Sequence, residues 1–521
     1  MPDPNQLHDG DNLTVMRAVR DCTVDRTTSH MKSIPLIDIR IVAQTFAMRR
    51  EVQHPHVLSD EPVLRDAQAY GSVLRDGSGS WRMWYLGEPI YSGYYAVSDD
   101  GRSWRRPELD LVAPEVRGEL NGPNAFLCRN QKDAHGNWLV GITGPEGFCV
   151  LDAEHTPHPS AKARFTALYL AQTETESGMY IAHSEDGVTW SAETGHPVIH
   201  GWRDTSSVLL FDAPTKKYVW YGRPDTYAAT EMHANRVIAR KESDDLIHWT
   251  PDRTVLDTDD ADADAYDQLD EALLRAGKDT VSAKERAAAW SALTEGKRAE
   301  QDRPLVRGRN RQWYGITVFP CADLYLGIAW MYDLPTGDMW TELVRSDDGI
   351  DWRREAERVP FIPRIPGTCT CTMASPPVEV GDEVWIYDSI INRSHHALPG
   401  AGDRNPEIQK TIRIVSLPRD RWVGYTAGEV QGELLTQVMD TPQDLRLNAA
   451  AETNGWLRVE VTDADGQPLD GLTRDQCKPI SADGLSLRPC WQSGKTLRDV
   501  RTQAIRLRIH ACRASVFALD V

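Results

Sequence analysis

The chain has 521 residues, 40% of them hydrophobic and 26% charged, too many for a single core and therefore expected to form two or more domains. Its 58 Lys and Arg stand against 77 Asp and Glu, a formal charge of −19, with no long basic run, which argues against nucleic acid as a partner and favours a neutral ligand. No run of about 18 apolar residues occurs, so no membrane span is expected.

The chain begins Met1-Pro2-Asp3-Pro4-Asn5, without the basic and apolar regions of a secretion signal. A cytoplasmic protein is expected, with residues 1–45 as an N-terminal extension. The nine Cys are scattered and odd in number, which reads as free buried thiols. Seventeen Trp and 16 Tyr against 8 Phe suit packing in a β protein and also stacking against sugar rings.

From about residue 46 a repeat organises the chain. Ser98-Asp99-Asp100-Gly101-Arg102-Ser103-Trp104 recurs at Ser184–Trp190, Ser243–Trp249 and Ser346–Trp352, and in degenerate form at Ser416–Trp422. Each copy follows a β-type run such as Tyr94-Tyr95-Ala96-Val97, and the Asp accepts backbone N–H bonds in the turn. Five turns ending five strands predict an all-β, five-bladed β-propeller over residues 46–423. The first strands read in the five blades are Gly71–Leu74, Ala125–Cys128, Ser207–Phe211, Gly315–Phe319 and Pro377–Val380, with Ser207–Phe211 expected to be the innermost of its blade. Between the third and fourth blades, residues 259–302 are acidic and Ala-rich, with apolar spacing that suits short helices. This helical insertion is expected to be a lid or a homo-oligomer contact. From residue 424 to 521 the alternation in Leu445–Asn448, Leu457–Val461, Ile505–Ile509 and Val516–Leu519 predicts a C-terminal β-sandwich.

The repeated turn, above all Ser243–Trp249, resembles the Ser-x-Asp-Leu-x-x-Trp turn of the five-bladed propeller glycosidases: the invertase and fructanase family and the arabinanase and xylosidase family. Trp202-Arg203-Asp204-Thr205 resembles the Arg-Asp-Pro motif of invertases. The resemblance implies that Asp204 holds sugar hydroxyls and steadies an oxocarbenium-like transition state. The invertase nucleophile motif has no match: the corresponding stretch is Asp66-Ala67-Gln68-Ala69-Tyr70-Gly71. Asp60-Glu61-Pro62-Val63-Leu64 keeps only the Asp and Pro of an Asp-x-Pro-Trp-Glu run, and no Glu-Cys acid motif is visible.

Glycoside hydrolysis ordinarily needs two carboxylates. The candidates are Asp60, Glu61, Asp66, Glu88, Asp204, Asp225 and Asp333. Among them Asp204 is expected as the transition-state carboxylate, Asp66 as base or nucleophile and Glu88 as acid. Arg203, Tyr70, Trp84, Arg223, Tyr314 and His395, with His396 beside it, are expected to line the pocket. No cofactor and no metal are expected, the latter because no Asp or Glu at ligand spacing accompanies the histidine pair. The resemblance implies a glycosidase acting on a furanoside or small oligosaccharide. A glycoside phosphorylase, with Arg203, Arg223 and His395 holding phosphate, and a non-catalytic carbohydrate-binding propeller remain as alternatives.

Overall fold

The computed structural model describes residues 31–87, 92–225, 236–259, 262, 311–333, 337–356, 358–395 and 407–521. It is nearly all β: the helical segments among these residues are Pro114–Arg117 and two short 3₁₀ turns, Ile39–Ile41 and Leu497–Asp499, with single helical residues at Asp262 and His395. None of these helices is long and apolar enough to cross a membrane. The expected helical insertion, apart from Asp259 and Asp262, lies outside the described residues.

The chain divides into two compact units: residues 55–378 with 385–416, and residues 1–54 with 379–384 and 417–521. In the larger unit antiparallel sheets follow one another along the chain. The first runs Ala67–Arg75, Trp81–Gly87 and Ser92–Ser98; the second Thr143–Asp152, Phe165–Gln172 and Ser177–Ser184; the third Val208–Asp212, Lys217–Gly222, Ile238–Ser243 and Arg253–Leu256. Arg311–Cys321, Leu324–Asp333 and Met339–Ser346 form the next group. Met339 then pairs in parallel with Cys369, so hydrogen bonding runs on into Cys369–Thr372, Glu383–Ile391 and Lys410–Pro418. The outer edge of that last group is completed from the other end of the chain, by His56–Val57 and Leu64–Arg65.

One first strand differs from the expectation: Ala125–Leu127 pairs with Ser92–Ser98 of the first sheet, and the first strand of the second sheet is Thr143–Asp152. The glycines and proline of Thr143-Gly144-Pro145-Glu146-Gly147 mask the apolar run Phe148 to Leu151 that follows. In the last group Val378–Val380 pairs with Glu383–Ile391, and Cys369–Thr372 pairs with that same strand.

The first strands of successive groups are tied by side chains. Ser72 Oγ donates to Phe148 O at 3.1 Å and accepts from Val150 N. Leu209 N donates to Cys149 Sγ. Thr205 approaches Gly315 closely enough that a Cβ there would stand 3.2 Å from its Oγ1. Thr317 Oγ1 donates to Met373 O, Ala374 N donates to Gly71 O, and Val73 N donates to Ser375 Oγ.

The repeated turns share one geometry. In the first, Ser98 Oγ donates to Asp100 Oδ1, which accepts from Arg102 N and Ser103 N at 2.8 and 2.7 Å. The fourth position takes a left-handed φ in all four regular copies: Gly101 73°, Gly187 85°, Leu246 69° and Gly349 73°. Its carbonyl also accepts from an aromatic of a neighbouring sheet: Trp84 Nε1 on Gly187, Tyr221 Oη on Gly349, Tyr387 Oη on Gly101. Trp190, Trp352 and Trp422 are buried, while Trp104 and Trp249 are half-buried.

The smaller unit is one nine-stranded sheet about a core of Leu434, Leu447, Leu457, Val459, Leu507, Ile509 and Val516. The four strands expected in it merge into two long ones, Arg446–Asp463 and Ala504–Asp520, with register shifts between Ala451 and Trp456. The boundary expected at residue 46 moves. Ser33–Pro35, Val42–Phe46 and Met48–Val52 all pair with strands from beyond residue 423, so residues 33–52 are part of this sheet, not an extension.

Candidate active site

In the larger unit three first strands lose register at a residue followed by glycine. The shift lies between Gln68 and Ser72 around Tyr70-Gly71, on both sides of Glu146 in Glu146-Gly147, and between Trp313 and Gly315 around Tyr314-Gly315. Such irregularities re-aim a side chain out of the ladder. Glycine is required by close backbone approach. A Cβ at Gly71 would stand 1.9 Å from Trp84 O, and one at Gly147, whose φ is 62°, 2.7 Å from Ser206 Cα.

These side chains meet around Asp204. Asp204 is about a third exposed, and Arg223, 2% exposed, donates to its Oδ2 at 2.9 Å. Arg223 also donates to Tyr314 O at 3.3 Å and lies 4.6 Å over the Tyr314 ring. Glu146 is 4% exposed, and its Oε2 is buried with no hydrogen-bond partner among the described residues. Burial, helped by the Asp204 charge and opposed by Arg223, pushes the Glu146 carboxyl well above the usual range. Tyr70, stacked on Trp330 at 5.7 Å, and Tyr314 are also pushed up, chiefly by burial, and remain neutral phenols. Tyr314 Oη contacts His395 Nε2 at 3.1 Å, and Tyr332 Oη stands 3.5 Å from His395 Nδ1. Arg236 lies 5.6 and 5.0 Å over the Tyr314 and Tyr332 rings.

The expected site residues divide. Asp204, Tyr70, Arg223, Tyr314 and His395 are brought together. Glu88 and His396 lie outside the described residues. Asp66 is exposed at φ 54°, near Tyr85, whose phenol is raised by burial first and by the Asp66 charge only as a lesser cause. Trp84 does not line the site: it is fully buried among Tyr95, Phe165 and Trp190, with its N–H on Gly187 O. Arg203 does not reach it either. Its guanidinium pairs with Asp252 at 3.1 Å, donates to His200 O and stacks 5.0 Å over Trp220, which pins the loop that carries Asp204. Of the remaining carboxylates, Asp60 is exposed, Glu61 pairs with Arg65, Asp225 packs against Gly201 and Asp333 lies 3.6 Å from Arg311 Nε.

Sequence reading missed Glu146 and Arg236. Glu146 had a signal, since Tyr70-Gly71, Glu146-Gly147 and Tyr314-Gly315 share one pattern at three strand starts. Among the described residues no group of three or more His, Cys, Asp or Glu is arranged to hold a metal.

No protein-family model matches the chain, and no curated protein sequence matches it. Solved structures similar to it include a thermostable family-43 glycoside hydrolase, 11% identical, covering 70% of this chain and 92% of that one at a TM-score of 0.40. An endo-arabinase from Bacteroides thetaiotaomicron is 10% identical over 70% of this chain and 97% of its own, TM-score 0.39. The β-1,2-mannobiose phosphorylase of Listeria innocua, in complex with β-1,2-mannobiose, is 10% identical over 72% and 97%, TM-score 0.39.

Proposed function

We propose that the protein is a glycoside hydrolase whose larger unit is a five-bladed propeller, with a C-terminal β-sandwich, and that Glu146 and Asp204 are its working carboxylates. The blade count is supported by the links from Ser72 to Phe148, Cys149 to Leu209, Thr205 to Gly315, Thr317 to Met373, and Ala374 back to Gly71, which leave and return to the first sheet.

The observation that carries the catalytic reading is Glu146: a buried carboxyl with an unpartnered oxygen, held protonated beside a carboxylate fixed by an arginine. A carboxyl raised by burial beside a second carboxylate is the pattern of an acid and its partner. Glu146 delivers its proton to the leaving glycosidic oxygen. Asp204, open to the solvent side, faces the sugar ring and either stabilises its positive charge or activates the attacking group. Tyr70 and Tyr314 supply neutral O–H donors to sugar hydroxyls.

The test is a panel of aryl glycosides, furanosides included, with E146Q. Turnover is expected to fall by about 10²-fold or more for poor leaving groups, and far less for dinitrophenyl leaving groups that need no proton. An equal fall for both, or none, overturns the assignment of Glu146 as the acid.

A further inference from the structure

Buried guanidinium groups in this protein are generally paired with carboxylates: Arg203 with Asp252, Arg345 with Glu355, Arg354 with Asp262, Arg413 with Asp388. Arg236 departs from that habit. Its hydrogen bond among the described residues goes to the neutral Gln312 Oε1 at 2.8 Å. It shares the Tyr314 ring with Arg223, and the like charge of Arg223, after burial, works against it. Asp204 is nearby but is already engaged by Arg223. Among the described residues two guanidinium groups thus gather at the Asp204 carboxylate, while burial favours the neutral form of Glu146. Like charges held together in a half-buried site are unfavourable until an anion joins them.

We infer that the site takes a ligand bearing an oxyanion, bound by Arg236 with Arg223 behind it. The chemistry is that of a planar or tetrahedral oxyanion on a guanidinium fork, met either by the carboxylate of an acidic sugar or by inorganic phosphate. The unpartnered Glu146 Oε2 beside this charge marks the place where the ligand's glycosidic oxygen sits. The inference rests on the reading of Glu146 as the protonated member of the pair.

The full-length protein and R236Q are titrated calorimetrically with sodium phosphate, glucuronate and galacturonate, and with glucose and galactose, all at matched ionic strength. Wild type is expected to bind at least one of the anions more tightly than either neutral sugar. R236Q is expected to weaken that Kd by about tenfold or more, and R236K to restore part of it. Phosphate binding with silent uronates identifies phosphate as the source, and the reverse identifies a sugar acid. Wild type binding no anion beyond a chloride control overturns the inference even where R236Q fails to fold, as does an unchanged Kd in a folded R236Q. Glu146-dependent turnover of neutral glycosides without anion binding overturns this inference and leaves the hydrolase reading standing. Anion binding without turnover of any glycoside does the opposite.

Discussion

At the scale of single residues, burial separates the two carboxyl groups proposed to work. Asp204 and Glu146 are both acidic side chains near one arginine, yet only Glu146 is shut from water. Its folded pKa is raised, so native stability is full below the unfolded value and declines as pH rises toward the folded one. E146Q removes that ionisation. Thermal melts are expected to show E146Q gaining on wild type as pH rises above about 5, with the two converging in acid. Activity carries the same sign: rate falls as pH rises through the Glu146 pKa, and E146Q loses that alkaline limb. D204N keeps shape and removes charge, so turnover is expected to drop by about 10²-fold with little change in Tm. A normal rate for D204N on a substrate that wild type cleaves would remove Asp204 from the mechanism.

At the scale of elements, two devices recur, one aiming side chains and one closing strands. The glycine after each aimed residue lets neighbouring backbones approach. Gly147→Ala places a Cβ against Ser206 Cα at a left-handed φ, which is expected to cost about 2–3 kcal/mol and to shift Glu146 enough to slow turnover tenfold or more. Gly118→Ala serves as its control. Gly118 has φ −66° and nothing within 4 Å of a new Cβ, so the melt should be unchanged or slightly raised. The turn repeat depends on its Asp. Bonds to Asp100 led by Ser103 N–H hold that carboxyl down at about 2, and Asp186 and Asp348 are lowered too, their N–H bonds outweighing partial burial. Depressed folded values mean stability that is present above about pH 4 and lost as pH falls toward 2. D100N is expected to lose about 1 kcal/mol at pH 7 and to show a flatter acid limb in its Tm profile. Leu246 shows how two terms compete in the same turn. Its left-handed φ costs about 1 kcal/mol, but its side chain is fully buried, which is worth about 2–3 kcal/mol.

At the scale of the whole molecule, chain ends complete sheets begun elsewhere. Leu64 is buried and pairs with Ile412, and Val57 pairs with Val415, so a short N-terminal segment covers the edge of the last strand group in the larger unit. An exposed strand edge invites pairing with other chains. Leu64→Asp buries a charge at that seam. It is expected to cost about 3 kcal/mol or more, seen as a lower Tm and faster hydrogen exchange over 411–416. Exchange at 411–416 equal to wild type would show that this edge does not need its cover.

The sequence by itself determined the all-β class and the repeated turns, because these are local, and it named Asp204 as a candidate. A Ser-x-Asp turn closes through bonds within six residues, and a strand announces itself by period two. It also put Tyr70, Arg223, Tyr314 and His395 on the page as candidates. It did not determine that Trp84 and Arg203 face away from the site, since a side chain's direction depends on strand register and on partners such as Gly187 and Asp252 far along the chain. Nor did it find Glu146, whose strand begins Gly-Pro-Glu-Gly and carries no alternation there. Only the tertiary structure decided that this glutamate is buried within reach of the Asp204 and Arg223 charges, and that Arg236 donates to an amide while Arg223 donates to a carboxylate. The physical reason is that pKa and charge balance are set by what surrounds a group in space, and those surroundings come from strands as far apart in sequence as those of Tyr70 and Tyr314.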